Sequence, residues 1–255
     1  MERQCKHVAG FLGLTAALAT AIPVQAEEQA DRAFQLTPYV WAAGIGGTAQ
    51  PLPGGPTLRV SRSFGDLLDD LDAAFFVTGL ARLGVFVTLF DASRSVSSRE
   101  GLVTPPVPGL PTVPAEGRLA QTSFTLMGGV RAVDLPGISI DLLAGVRAWW
   151  IRTRIEAPAL GVVVSPDESF ADPVLGSRLN FRLADGWSIL LQGDFGGFGA
   201  GSEFTTQVAT TLNARVARQI WVSAGYRYLM VDYEGSRSTA DLRMAGPLIG
   251  ATVAF

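Results

Sequence analysis

Apolar and polar residues alternate with a period of two along most of this chain, in stretches of roughly 10 to 15 residues, and this pattern constrains the fold most. From Glu203 to Arg215, one face carries Phe204, Thr206, Val208, Thr210, Leu212 and Ala214. The other carries Glu203, Thr205, Gln207, Ala209, Thr211, Asn213 and Arg215. From Ile138 to Trp149, Ile138, Ile140, Leu142, Ala144, Val146 and Ala148 alternate with Ser139, Asp141, Leu143, Gly145, Arg147 and Trp149. Asp172, Val174, Gly176, Arg178, Asn180 and Arg182 form a third such face, opposite Pro173, Leu175, Ser177, Leu179, Phe181 and Leu183. A period of two belongs to strands whose two faces meet different surroundings, and helical spacing does not fit it.

A soluble antiparallel sheet also alternates. Length separates the two cases. Ordinary strands run about 5–6 residues, whereas about 9–11 tilted residues cross a bilayer. In lipid every backbone group needs a partner within the protein, so only a closed sheet crosses with strands. The stretches here are long, and their polar faces carry series of Arg and Asp that suit a wet or ion-paired lumen. The expected fold is therefore all-β: a closed antiparallel transmembrane barrel. A secreted sandwich or soluble barrel is the alternative. Composition agrees. Of the 255 residues, 48% are hydrophobic and 17% charged, against about 25% charged in typical soluble domains. The 29 Gly show no collagen period, the apolar content excludes a disordered chain, and a net charge of −3 marks no nucleic-acid binder.

The first residues read as an export signal. Arg3 and Lys6 precede the uncharged run Val8–Val24, and Val24-Gln25-Ala26 forms a small-residue cleavage site before Glu27-Glu28. A short membrane anchor is the alternative. Cleavage after Ala26 leaves 27–255 as one barrel domain, with 18 basic and 22 acidic residues once Arg3, Lys6 and Glu2 are gone. The only Cys (Cys5), the only His (His7) and the only Lys (Lys6) depart with the signal. The remainder has no thiol for disulfide chemistry and no imidazole for a Ser-His mechanism or a His-ligated metal. No catalytic residue, metal site or cofactor is expected. A carboxylate-pair mechanism or weak cation site at Asp66, Asp69, Asp70 and Asp72 is the residual alternative.

Turn chemistry sets the strand count. Tight connections fall at Arg82-Leu83-Gly84, Asp134-Leu135-Pro136-Gly137, Ala184-Asp185-Gly186 and Ala217-Arg218-Gln219. Longer ones fall near 50–72, 98–117, 156–169, 199–202 and 235–240. Short and long connections alternate, as periplasmic turns and external loops do. The strands are then 35–49, 73–82, 84–97, 118–132, 138–155, 170–184, 187–198, 203–217, 220–234 and 241–255. This makes ten strands, with eight as the alternative because the first third is less regular. Leu58–Phe64 reads as an extra strand or an extension, and Asp66–Leu71 as a short helical turn. Five prolines in Val103–Pro114 exclude a sheet interior and favour an extended arch. The apolar loop Ala157–Pro166 is expected to pack on it, or to form a ligand vestibule with it.

The segments TPYVWAAGIGG (37–47), FGDLLDDLDAAFF (64–76), LLAGVRAWW (142–150), FADPVLGSRL (170–179), GDFGGFGAGSEFTTQ (193–207), GYRYLMVDYEG (225–235) and MAGPLIGATVAF (244–255) carry a resemblance. They resemble a widespread group of small proteobacterial outer-membrane β-barrel proteins, near the OmpW-like and OmpA-like barrels. The resemblance spans most of the chain. It implies a barrel in the outer membrane and little about chemistry.

Three groups of candidate residues follow. The inward face is expected to hold Arg131, Asp141, Arg147, Asp172, Arg178, Arg182, Asp194, Glu203, Arg215 and Arg227, largely paired across the lumen, because unpaired charge there is costly. Such a network occludes the lumen; the alternative is a narrow channel whose surplus Arg prefers anions. Toward the outer rim stand Arg59, Arg62, Arg94, Arg99, Arg118, Arg152 and Arg154, with Arg237 and Arg243 near the last loop. Arg forks bind phosphate in bidentate fashion, so this rim is a candidate contact for lipopolysaccharide; solvated rim charge is the other reading. Trp150, Phe181, Trp187, Phe204, Tyr226, Tyr228 and Phe255 are candidates for lipid-facing aromatic belts. The terminal aromatic Phe255 further resembles the signal read by the outer-membrane assembly machinery. No nucleic-acid partner is expected, and the sequence specifies no oligomeric state.

Overall fold

The computed structural model describes residues 32–50, 58–63, 65–66, 71–103, 113–165, 167–235 and 238–255. The signal segment 1–26 lies outside them. Thirteen strands follow in chain order: β1 (Arg32–Trp41), β2 (Gly44–Gln50), β3 (Leu58–Arg62), β4 (Leu71–Leu83), β5 (Phe86–Val103), β6 (Val113–Leu135), β7 (Ile138–Ala157), β8 (Val162–Val164), β9 (Asp167–Ala184), β10 (Trp187–Gly197), β11 (Phe204–Ala217), β12 (Ile220–Glu234) and β13 (Thr239–Ala254). Each wall strand pairs antiparallel with the next, and β1 pairs with both β4 and β13, which closes the sheet. β1 and β2 both run along β13 and together make one wall strand. The barrel thus has ten strands. The chain breaks between β1 and β2 opposite Pro247, whose carbonyl accepts the Ala42 N–H at 2.9 Å.

One end of the barrel is built from tight turns and holds both Arg32 and Phe255. Gly137 and Gly186 sit there at φ 89° and 76°, a backbone region that favours glycine. Phe255 closes the seam, exchanging backbone hydrogen bonds with Phe34 and resting its ring 5.6 Å from the Phe34 ring.

The other end is uneven. β10 has 11 residues and β6 has 23, or about 36 and 75 Å at roughly 3.3 Å per residue. The wall β5–β6–β7 therefore rises well above its neighbours. Here the structure corrects the sequence reading. Residues 98–103 and 113–117, read as loop, continue the hairpin ladder up to Val103 opposite Val113. A β-ladder satisfies the backbone even where side chains no longer alternate cleanly, so the pattern faded before the pairing did. Of the proline arch, 104–112 lie outside the described residues. Within Ala157–Pro166, a 3-10 turn (Pro158–Leu160) folds β8 back on the end of β7. Val113, Ala115, Ala157 and Leu160 pack together there, so the two loops meet at their bases. Leu58–Arg62 forms a hairpin with β2 rather than an independent wall strand. Of the expected helical turn, Asp66 and Leu71 are described: Leu71 already begins β4, and Ser63 and Asp66 cap each other through Ser63 N to Asp66 Oδ2 at 3.0 Å and Asp66 N to Ser63 Oγ at 3.3 Å.

The faces are inverted relative to a soluble protein. Phe124, Leu126, Val146, Trp150, Val208 and Ile249 point outward and are 40–68% exposed. Charged and polar side chains point inward and are buried. An apolar outer band of this extent is a liability in water and the requirement of a barrel in lipid.

Candidate functional site

The lumen is divided into three tiers, each set by the inward parity of its strands. The middle tier is a belt of ion pairs and hydrogen bonds that crosses the interior. Arg147 of β7 donates from Nη2 to both oxygens of Asp194 on β10, at 2.9 Å each. Its Nε donates to Thr125 Oγ1 at 3.0 Å and its Nη1 to Thr205 Oγ1 at 3.4 Å. Arg227 of β12 reaches Asp91 on β5 at 3.2 Å and donates to Gln207 Oε1 at 2.6 Å and to the Tyr39 hydroxyl. Tyr39 in turn donates to Asp91 Oδ2 at 2.9 Å. Gln207 Oε1 also lies 3.5 Å from Arg147 Nη2, which links the two halves. The arginine and aspartate side chains are all at least nine-tenths buried, and two Arg face two Asp, so the belt is neutral. A low-dielectric interior tolerates these charges because each is both paired and hydrogen-bonded.

Toward the long-loop end, an apolar tier sits on the belt. Trp41, Trp149, Leu229, Val231, Met244 and Leu248 are buried together, with Phe76, Phe170 and Tyr233 packed against them. Trp41 covers the Arg227 guanidinium at 4.7 Å, within cation–π range. Phe170 stacks on Tyr233 at 4.3 Å. Tyr233 and Ser238 donate to Glu168 at 3.2 and 3.0 Å, which ties the last loop down. Asp172 of β9, opposite Arg147, is fully buried beside the belt, and its Oδ2 has no hydrogen-bond partner among the described residues. Its Oδ1 accepts the Ser202 N–H at 2.6 Å, pinning the β10–β11 turn.

Toward the short-turn end lies a cavity of about 560 Å³, bounded above by Asp91, Gln207 and Arg227 and reaching the turns at Gly137 and Gly186. Its wall carries Arg131 and Arg178, with Asp141 buried behind them on the strand between. Asp141 takes Arg131 Nε at 2.8 Å and lies 3.7 Å from Arg178 Nη1. Arg131 also faces Asp134 at 3.6 Å. Below the belt the cavity lining holds Arg82, Arg131, Arg178, Arg182 and Arg215 against Asp134 and Asp185, and with Asp141 buried behind Arg131 and Arg178 the surplus is two positive charges.

Of the expected inward set, Arg147, Asp194 and Arg227 meet in the belt, and Arg131, Asp141 and Arg178 meet in the cavity wall. Asp172 is buried beside Ser202. Three placements differ. Glu203 is exposed and precedes β11, because the chain is already turning where its parity would aim it inward. Arg215 stands at the mouth, 42% exposed, against Asp185 at 2.7 Å. Arg182 lies exposed at the same mouth. The sequence reading passed over Tyr39, Asp91, Thr125, Thr205 and Gln207 as belt members. A signal for the arginines exists: Gly129-Val-Arg131, Gly145-Val-Arg147, Gly176-Ser-Arg178 and Gly225-Tyr-Arg227 repeat Gly-x-Arg on the inward face. Residues two apart share a face, so each glycine withdraws side-chain volume beside a long arginine.

Of the rim arginines, Arg59, Arg94, Arg118, Arg152 and Arg154 are exposed. Arg62 and Arg99 lie in β3 and β5, opposite Ile45 and Gly117, and their side chains are outside the described set, as is Arg237. Arg243 pairs with Asp241 at 3.4 Å. Asp72 accepts Ser98 Oγ at 2.6 Å, while Asp69 and Asp70 lie outside the described residues. Among the belt candidates, Trp187 and Phe255 lie at the short-turn end and Trp150 and Phe204 toward the other; all four are exposed, as is Tyr226, while Phe181 and Tyr228 are half-buried.

No protein-family model matches the chain, and no curated protein matches it in sequence. Solved structures do. The outer membrane protease OmpT from Escherichia coli matches with a TM-score of 0.53 at 13% identity, covering 88% of this chain and 97% of that one. The translocator domain of the autotransporter NalP from Neisseria meningitidis gives 0.45 at 12% identity, covering 90% and 94%. The β domain of the Bordetella autotransporter BrkA gives 0.45 at 16%, covering 88% and 100%. The likeness to OmpT defines the class of the fold, a closed ten-strand barrel of the outer-membrane type.

Proposed function

We propose that the protein is an integral outer-membrane barrel with a structural or surface-interaction role, closed to free solute flow and without catalytic chemistry of its own. The carrying observation is the neutral belt of Arg147, Asp194, Gln207, Arg227, Asp91 and Tyr39, which crosses the lumen beneath a buried aromatic tier. Paired charges and close-packed rings across the lumen support a closed barrel over a wet pore. The missing imidazole and thiol after residue 26 support the non-enzymatic reading. The short turns face the periplasm and the tall β5–β6–β7 wall faces outward, the usual polarity of such barrels. Phe255, at the closing seam, is the residue we assign to recognition by the assembly machinery. Kinship with OmpW-like or OmpA-like barrels rests on the segments quoted above.

A narrow channel is the second reading. It is favoured by the 560 Å³ cavity, which opens at the short-turn end and carries surplus arginine. Swelling of liposomes that hold the refolded protein separates the two. The closed-barrel reading expects no swelling with glycine or glucose above that of protein-free liposomes. Swelling graded by solute size would favour the channel.

A further inference from the structure

A second charged site lies on the outside of the barrel. The parity that turns Asp91, Thr125 and Arg147 inward turns Arg94, Arg118, Arg152 and Arg154 outward, and all four are exposed. Strand register sets them side by side on β5, β6 and β7. Thr122 stands between Arg94 and Trp150, Ala120 is opposite Arg152, and Arg118 is opposite Arg154. Ala120 and Thr122 are small and floor a cleft of about 210 Å³, lined further by Arg94, Arg152 and Trp150.

Folding accounts for only part of this arrangement. Like charges directly opposite on paired strands repel, yet Arg118 faces Arg154. Compensation is partial, with Glu116 facing Glu156 next to the Arg118–Arg154 pair. Arg152 approaches Asp167 only to 4.0 Å, with side chains 73% and 66% exposed. Arg154 pairs with Glu156. Arg94 and Arg118 have no carboxylate partner among the described residues.

The height of the row identifies what compensates it. Toward the short-turn end, the outward residues on the same strands turn apolar: Phe124, Leu126 and Val130 on β6, and Trp150, Val146 and Leu142 on β7, each 40–51% exposed. The arginines begin where this band stops, at headgroup level on the outer side, with Trp150 at the boundary where interfacial aromatics belong. Arg94 and Arg152 stand two strand spacings apart and two residues out of step, roughly 12 Å between backbones. Two long guanidinium arms at that spacing converge on a tetrahedral anion, which each binds through a planar fork.

We propose that this cleft binds a phosphate of an outer-leaflet phosphoglycolipid of the lipid A type. The phosphate is held between Arg94 and Arg152, Arg118 and Arg154 meet further anionic groups above it, and Trp150 lies against the sugar and acyl boundary. The proposal rests on the membrane-spanning reading above, which is tested separately by recovery of the protein in the membrane fraction.

The test uses the protein purified from membranes in detergent and titrated with bisphosphorylated lipid A or its dephosphorylated form. The wild type is expected to prefer the phosphorylated lipid by about tenfold or more, the scale of a charged hydrogen-bond pair. Arg94→Gln/Arg152→Gln is expected to lose that preference, while Arg215→Gln at the opposite mouth keeps it. Equal binding of the two lipids by the wild type overturns the proposal without any variant, and so does a preference that survives in the double variant. Displacement of the lipid by millimolar inorganic phosphate would assign the cleft to the free anion and overturn the lipid assignment.

Discussion

A buried guanidinium is tolerated only when its partners are in place. Arg147 spends its donors on Asp194, Thr125 and Thr205, and Arg227 spends its two Nη groups on Asp91, Gln207 and Tyr39 while its Nε has no partner among the described residues. Removing one carboxylate strands a charge in the lumen, which costs about 3–5 kcal/mol. Asp194→Ala is therefore expected to lower the urea midpoint for loss of the heat-modifiable folded band markedly. Arg152→Gln, on the exposed outer wall, is expected to move it within about 0.5 kcal/mol. Equal midpoints for wild type and Asp194→Ala would show that the belt does not hold the barrel. At this scale the sequence was half legible. Alternation alone aims Arg147, Asp194 and Arg227 inward. Asp91 was passed over because Val87 and Leu89 share its face and Phe86 and Phe90 the other, so β5 alternates weakly there. That weakness is physical: Val87 and Leu89 pack an internal apolar cluster with Leu80, Met127, Leu143 and Val174. Nor does a local pattern reveal that Asp91 meets Arg227, 136 residues away.

At the level of strands, neighbouring backbones approach closely where the inner wall narrows. A Cβ added at Gly225 would stand 1.9 Å from the Thr210 carbonyl oxygen on β11. That oxygen belongs to the ladder and cannot yield. Gly225→Val is expected to lower the folded, heat-modifiable fraction by well over half, whereas Gly128→Ala, which meets nothing within 4 Å, is expected to assemble as the wild type does. Normal assembly of Gly225→Val, read by gel mobility with and without heating, would contradict the packing described here. Strand number and order were legible because turn residues punctuate long alternating runs. Strand ends were less so. β5 and β6 run on to Val103 and Val113 because the hairpin ladder persists into a segment whose prolines read as loop. The split of the first strand was hidden as well. It depends on Pro247, a partner on the last strand.

The whole molecule is an inverted globule, with apolar residues outside and ion pairs inside, and both features follow from one medium. Lipid demands the outer band and the closed ladder. The narrow lumen then demands that inward charges be paired, which the belt does for Arg147 with Asp194 and Arg227 with Asp91. The remaining surplus of arginine lies in the cavity below the belt and on the outer wall, the two places that meet water or phosphate. Single-channel conductance of the refolded protein in a planar bilayer tests this account most directly. The account predicts a folded, silent barrel, because both the belt and the aromatic tier above it cross the lumen. Stable steps from the wild type would contradict the closed belt and make the molecule a channel.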